Sequence, residues 1–129
     1  MRLLLDTHLL LWALAEPERL DATTRAALED PGNEVMFSAA SLWEIAIKAS
    51  LGRPDFSFDP AQILQAALET GFVELPVRST AAIRVAGLPP HHRDPFDRLL
   101  IAQAMSEPVR LYTADPLLPP YSELVTFVR

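Results

Sequence analysis

The apolar pattern of this chain changes repeatedly between short continuous runs and longer helical stretches, and each change marks an element. Arg2 to Asp6 is a short apolar run and predicts a buried strand, followed at once by a helix over Thr7 to Ala15. Ala22 to Asp30 reads as a second helix capped by Asp21. Val35 to Ser38 is the next strand, and Ala40 to Ser50 the next helix. Asp59-Pro60 opens a helix that runs to about Thr70, since proline suits the first helical position. Phe72 to Leu75 predicts a third strand and Ser79 to Ala86 a short helix. A helix beginning near Pro95 leads to a strand over Arg110 to Thr113, and Leu124 to Val128 closes the chain as a last strand. Strands alternating with helices predict an α/β chain with a mainly parallel sheet covered on both faces. Most of the twelve prolines fall between these elements and act as punctuation.

Length and composition narrow the picture. The 129 residues fit a single domain over residues 1–129, long enough to bury a core without disulfide or structural zinc. Cysteine is absent, which excludes thiolate chemistry and permits a reducing compartment. The N-terminal stretch MRLLLDTHLLLWALAEPE imitates a secretory signal, but Asp6, Thr7 and His8 interrupt its apolar run. No stretch approaches the roughly twenty apolar residues of a membrane span, so the expected location is cytoplasmic. The formal net charge of −6 excludes a broad basic face for nucleic acid. Ten of the eleven basic residues are arginine, however, so a local phosphate-contacting patch survives the global sign. A mean hydropathy of +0.15 implies apolar surface that meets a partner.

Candidate chemistry concentrates in HHRDPFDRLLIAQA, residues 91–104, where a polar loop gives way to a helix that is apolar nearly all round. Asp94 reads as its N-cap and Asp97 as a first-turn acid. In open parallel sheets ligands bind beyond the carboxyl ends of the strands, which singles out Asp6, after the first strand, and Asp115, after Arg110 to Thr113. Each is equally readable as a helix or turn cap. Glu44 lies with Ser41 and Lys48 on a narrow polar stripe of an otherwise apolar helix, a pattern that fits a polar cleft. Two plainer readings compete: Ser41-x-x-Glu44 as a capping box, and Glu44 with Lys48 as an i,i+4 ion pair. If Asp6, Glu44, Asp97 and Asp115 converge, carboxylates ~4 Å apart repel by about 4 kcal/mol at an effective dielectric near 20. A divalent cation removes that difficulty, and oxygen ligands select hard ions such as Mg²⁺.

These residues resemble those of PIN-domain ribonucleases, in particular the VapC-type toxins of bacterial toxin-antitoxin pairs. LLLDTHLLLWAL at 3–14, SAASLWEIAIK at 38–48, HHRDPFDRLLIAQA at 91–104 and LYTAD at 111–115 occur in the family's order over almost the whole chain. The resemblance carries the family's acids onto Asp6, Glu44, Asp97 and Asp115. It implies a three-layer α/β/α sandwich with about four to five mainly parallel strands, consistent with the layer rules for such patterns. It also implies Mg²⁺ or Mn²⁺ in an acidic pocket, endonucleolytic cleavage of RNA, homodimers, and inhibition by a cognate antitoxin whose C-terminal segment lies across the active-site groove.

In the roles that follow, Asp6 and Asp97 are the principal metal ligands and Glu44 is a ligand directly or through water. Asp115 is an outer ligand or water-orienting group, although the prolines at 116, 119 and 120 depart from the family pattern and bear on how its loop reaches the metal. Thr7 and Thr113 would orient neighbouring carboxylates. Asp94 is a cap before it is a ligand. Arg98 would contact the scissile phosphate, with a salt bridge as the plainer reading, and Lys48 is a partner for Glu44 rather than a base. Three other readings stand beside the nuclease: a zinc hydrolase using His91, His92 and Asp94, a phosphatase with Asp6 as nucleophile, and a non-catalytic binding module whose acids are all caps. The adjacent histidines are read as loop residues.

Overall fold

The computed structural model describes residues 1–128; Arg129, the last position of the expected domain, lies outside the described residues. Among these residues five strands and six α-helices follow in order, with a pair of helices after each of the first three strands: β1 (Arg2–Leu5), α1 (Thr7–Ala15), α2 (Ala22–Glu29), β2 (Glu34–Ser38), α3 (Ala39–Ser50), α4 (Pro60–Thr70), β3 (Val73–Leu75), α5 (Ser79–Arg84), α6 (Pro95–Ser106), β4 (Arg110–Thr113) and β5 (Val125–Phe127). The strands form one sheet in the order β3-β2-β1-β4-β5, and every pairing is parallel.

Alternation along the strands divides the interior into two cores. Leu3 and Leu5 of β1, with Val35 and Phe37 of β2, face a layer that includes Leu9 and Leu10 of α1, Ile45 of α3 and Ile63 of α4. Leu4 and Met36 face the other way, with Leu111, onto Leu100, Ile101 and Ala104 of α6. Successive leucines in β1 are therefore all buried because helices cover both faces of the sheet. This is the expected α/β/α sandwich.

Local chemistry sets the ends of the elements. Asp21 accepts from the Thr24 N–H at 2.7 Å, starting α2, and that hydrogen bond holds its carboxyl below the usual aspartate range. Gly71, at φ 95, closes α4 in the left-handed region. Phe72 then returns its N–H to the Ala67 carbonyl at 2.9 Å, so β3 begins at Val73, one residue later than the sequence suggests. The helix predicted over Ser79 to Ala86 ends as an α-helix at Arg84 and tightens into a 3-10 turn over Val85–Gly87. There the Val85 carbonyl accepts from the Leu88 N–H at 3.2 Å and from the Arg98 guanidinium at 3.1 Å, while Pro89, which has no N–H, cannot continue the α-helical bonding. Ser38, not Ser41, is the N-cap of α3, accepting from the Ala40 N–H at 3.0 Å, so the capping box centred on Ser41 is not formed.

β1 lies at the centre of the sheet, with β2 on one side and β4 on the other. The chain runs outward from β1 through β2 to β3, then crosses back to β4. That reversal leaves a crevice beyond the carboxyl ends of β1 and β4, the switch point of the topology. Gln103 braces it from below: Ser38 Oγ donates to its Oε1 at 2.6 Å, and its Nε2 donates to the Pro76 carbonyl at 3.3 Å. One fully buried amide thus ties α6 to the ends of β2 and β3.

Gln103→Ala leaves a cavity and strands the Ser38 hydroxyl and Pro76 carbonyl. It is expected to lower the unfolding free energy by about 2–4 kcal/mol, measured by urea denaturation, with the secondary structure retained.

Candidate active site

Asp6 follows β1 directly and serves two purposes. Its Oδ1 caps α1 by accepting from the Leu9 N–H at 2.8 Å, while Oδ2 accepts from Thr113 Oγ1 at 2.6 Å and from the Ala114 N–H at 3.3 Å. The cap reading and the pocket reading are both true of this residue. Burial pushes its carboxyl pKa up, and the bonds from Thr113 and Leu9 oppose that rise without cancelling it.

Asp97 enters from the first turn of α6. Asp94 Oδ1 accepts from the N–H groups of Phe96 and Asp97 at 2.8 and 3.1 Å, which starts the helix and makes Asp94 the cap expected of it. The side chain of Asp97 is only 20% exposed and receives a side-chain contact from one partner, His92 Nε2, at 3.1 Å. Burial first, then the charges of Asp94, Asp6 and Glu44, raise its pKa from 3.8 to about 7, against the opposing pull of His92. The fold therefore places the three acids close enough to Asp97 for their charges to act on it.

Asp115 follows β4. Its Oδ1 accepts from the Leu117 N–H at 2.9 Å, which shapes the turn through Pro116, and its Oδ2 lies 2.7 Å from His92 Nε2. Asp6, Asp97 and Asp115 line one cleft of about 340 Å³ together with His8, Trp12, Ala114 and Pro116. Glu44 is not on that wall. It is buried behind Thr7, whose Oγ1 donates to Glu44 Oε1 at 2.7 Å and stands 3.0 Å from Ser41 Oγ. Its other oxygen pairs with Lys48 Nζ at 2.8 Å. The ion pair that competed with a catalytic role is thus formed, and the charge of Glu44 adds to the rise in the Asp97 pKa. Thr7 and Thr113 do orient carboxylates, one each.

Arg98 departs from its expectation. Its guanidinium donates to the carbonyls of Val85, Leu88, Pro89 and His92 and to Tyr121 Oη, at 3.0–3.3 Å. Donors spent on main-chain carbonyls are turned away from a phosphate in the cleft, and no carboxylate pairs with Arg98 among the described residues. The residue braces the loop before α6.

The residue that sequence reasoning passed over is His92. Treating the paired histidines as loop residues is correct for the backbone, but the His92 side chain enters the cleft and bridges Asp97 and Asp115. Its place two residues before the Asp94 cap was the available signal. The zinc reading fails in its membership, since His92 meets Asp97 and Asp115, not His91 and Asp94, in the one cluster of potential ligand atoms among the described residues.

The donor set suits a hard divalent cation. A carboxylate oxygen of Asp97 lies within 4.8 Å of one of Asp115, Asp6 shares their cleft, and thiolates are absent. The gathering of acids is visible at Asp97, whose pKa is raised by burial first and then by the charges of Asp94, Asp6 and Glu44, which a bound cation would offset.

Comparison with known proteins agrees with this geometry. The profile of the PIN domain matches residues 3–119. The chain is 34% identical over 112 residues to Ribonuclease VapC22 of Mycobacterium tuberculosis, covering 87% of this chain and 85% of the relative. Among solved structures, VapBC2 from Rickettsia felis bound to a DNA fragment from its promoter superposes with a TM-score of 0.72 at 15% identity, over 100% of both chains. VapBC-1 from nontypeable Haemophilus influenzae superposes at 0.57 and 20% identity, over 89% of this chain and 87% of that one. FitAcB from Neisseria gonorrhoeae superposes at 0.51 and 21%, over 88% and 87%. A profile match over nearly the whole length, a curated VapC relative and a shared fold with its acids gathered at one switch point make this chain a member of the PIN-domain family.

Proposed function

We propose that this chain, as one PIN domain over residues 1–129, is a metal-dependent endoribonuclease that hydrolyses RNA phosphodiester bonds as the toxin of a toxin-antitoxin pair. The observation that carries the reading is the convergence of Asp6, Asp97 and Asp115 on one cleft, with Asp97 raised to about 7 by burial and its acidic neighbours. Acids that were only caps would have no reason to share one partly buried wall. Mg²⁺, or Mn²⁺, is the cation we assign. When bound, such an ion makes water a nucleophile near neutral pH and offsets charge on the phosphoryl oxygens.

The protein's own groups do the positioning. Asp6 presents its carboxylate from the end of β1, Asp97 from the first turn of α6 and Asp115 from the loop after β4, and Thr113 fixes the orientation of Asp6. Glu44, held by Thr7 and Lys48, adds negative potential behind them. A groove lined by His8, Trp12, Phe56 and Phe58, with Arg19 and Lys48 alongside Glu16 and Asp55, shares His8 and Trp12 with the cleft. Aromatic faces beside cations suit unpaired bases of a single strand, which supports RNA that lacks duplex structure as the substrate.

Two partners follow from the surface. The acidic cleft complements a basic side chain, so a cognate antitoxin would inhibit by laying a segment across it. A second copy of the chain would cover the apolar face formed by Trp43, Val85, Phe96 and Leu99, where Trp43 is 61% exposed. No helix among the described residues is long and apolar enough to cross a membrane, and a cytoplasmic location gives the enzyme its RNA.

Asp6→Asn and Asp97→Asn are each expected to lower RNA cleavage by roughly 10²-fold or more with the fold retained, read by oligonucleotide cleavage and circular dichroism. Growth arrest on expression without antitoxin should disappear with Asp97→Asn; wild-type-like cleavage and toxicity by both variants would sink the reading. Folding raises the Asp97 pKa, so its stabilisation is complete below about pH 4 and is lost as pH rises through about 7. Asp97→Asn should therefore melt about 5 °C or more above the wild type in EDTA at pH 8, the gain growing between pH 4 and 7. Mn²⁺ binding to the wild type should tighten over the same window and release protons, measured by calorimetry in buffers of different ionisation enthalpy. Trp43→Glu is expected to convert a dimer to a monomer in sedimentation velocity.

A further inference from the structure

We propose that His92 is a positioning residue of the cleft, a fixed hydrogen-bond donor that holds the Asp115 carboxylate against the first turn of α6 beside Asp97. It is not a metal ligand. The inference rests on the nuclease reading of the cleft and goes beyond it, since the residue stands outside the acidic set.

The ring's two nitrogens are assigned by their surroundings. His92 Nδ1 accepts from the main-chain N–H groups of Arg93 and Asp94 at 2.9 and 3.2 Å. A nitrogen that accepts two N–H groups carries no proton, so in the neutral ring the proton sits on Nε2. That nitrogen lies 2.7 Å from Asp115 Oδ2 and 3.1 Å from Asp97 Oδ2, and donates into the space between them. To bind a cation through Nε2, the ring would have to move its proton to Nδ1, against two N–H groups that point at it. The local backbone thus makes His92 a donor by construction.

Its own placement is braced from both sides. The His92 N–H donates to Tyr121 Oη at 2.8 Å, and the His92 carbonyl accepts from Arg98 Nη1 at 3.3 Å, while Arg98 also donates to Tyr121 Oη at 3.2 Å. The His91 ring packs edge-on to Tyr121, 4.9 Å between centroids. The Arg98 guanidinium, placed on α6 just after Asp97, therefore fixes the backbone of the histidine that reaches back to Asp97. Asp115 needs that support. It sits on a loop with Pro116, Pro119 and Pro120, and His92 is the only side chain among the described residues that donates to it.

Losing the donor frees Asp115 to turn away from the cleft, which lowers affinity for the cation and the fraction of bound substrate in reactive geometry. Removing an outer partner of a metal-binding carboxylate typically costs 10–100-fold in affinity. His92→Ala is thus expected to weaken Mn²⁺ binding about tenfold or more by calorimetry, and to lower kcat with the KM for RNA little changed. His92→Gln, whose amide Nε2 reaches the same place as a donor, should restore Mn²⁺ affinity to within about threefold of the wild type, the rescue expected of a preserved hydrogen bond.

Two spectroscopic readouts on the unmutated protein keep the test independent of how the variants fold. Long-range ¹H–¹⁵N NMR correlation of the metal-free protein near pH 7.5 should give His92 the Nε2–H tautomer. Pulsed EPR of the Mn²⁺ complex should show no directly coordinated imidazole nitrogen. A proton on Nδ1, a directly bound nitrogen, equal Mn²⁺ affinity of wild type and His92→Ala, or failure of His92→Gln to rescue a folded protein each overturns the proposal. Failure of the wild type to bind Mn²⁺ at all would count against the nuclease reading, and the NMR tautomer would still report on the donor assignment.

Discussion

The burial of carboxylates gathered in one cleft is the constraint around which this molecule is arranged. Asp6 and Asp97 are both displaced upward in pKa, chiefly by burial, and for Asp97 the neighbouring acids add to the effect. A fold that gathers such groups must restrain each one, since a free carboxylate would turn to solvent. The restraints are visible one by one. The α1 N-terminus and Thr113 hold Asp6, Thr7 and Lys48 hold Glu44, the first turn of α6 holds Asp97, and His92 with the Leu117 N–H holds Asp115. Among the described residues no buried side-chain nitrogen or oxygen lacks a hydrogen-bond partner, so the site is satisfied in its polar atoms while remaining unbalanced in charge. That combination suits a site kept ready for a cation.

The sheet makes the gathering possible at modest cost elsewhere. Because both faces are covered, the buried positions of the strands are apolar except at the carboxyl ends: Asp6 after β1, Ser38 at the end of β2, Thr113 at the end of β4. The crossing from β3 back to β4 opens the crevice there, and α6 enters it with its N-terminus forward. A helix N-terminus favours negative charge, which helps hold Asp94 and Asp97 in the first turn. Caps and candidate ligands are therefore not competing explanations at Asp6. One oxygen starts the helix, and the other takes part in the cleft.

A second network lies outside the acids and depends on a single guanidinium. Arg98 donates to the carbonyls of Val85, Leu88, Pro89 and His92, along the stretch where the 3-10 turn and the paired prolines end regular helical bonding. A planar head with five donors can serve several carbonyls at once, which a lysine could not do in the same geometry. The loop it fixes delivers His92. The adjacent Arg98 and Asp97 on α6 thus meet the same histidine from two directions, one through its backbone and one through its ring.

Much of this was legible in the chain. The apolar runs and proline punctuation placed every strand and helix to within two residues, because burial on both sheet faces and helix capping are local properties of sequence. The acids Asp6, Glu44, Asp97 and Asp115 were legible as candidates by their position after strands or on a narrow polar stripe, and the PIN resemblance ordered them. Their relative depth was not, and Glu44 behind the wall of the cleft could not be told from Asp97 on it. Nor could the sequence tell that Arg98 would spend its donors on carbonyls, or that His92 rather than His91 would turn inward. Those outcomes depend on contacts between segments far apart in the chain, such as His92 with Asp115 and Tyr121 or Thr7 with Glu44. The sequence by itself determined the elements, the parallel sheet and the supply of acids, since periodicity and capping act over a few residues. Only the tertiary structure decided which side chains share the cleft and how each is held, because hydrogen-bond direction and desolvation exist only once distant segments pack.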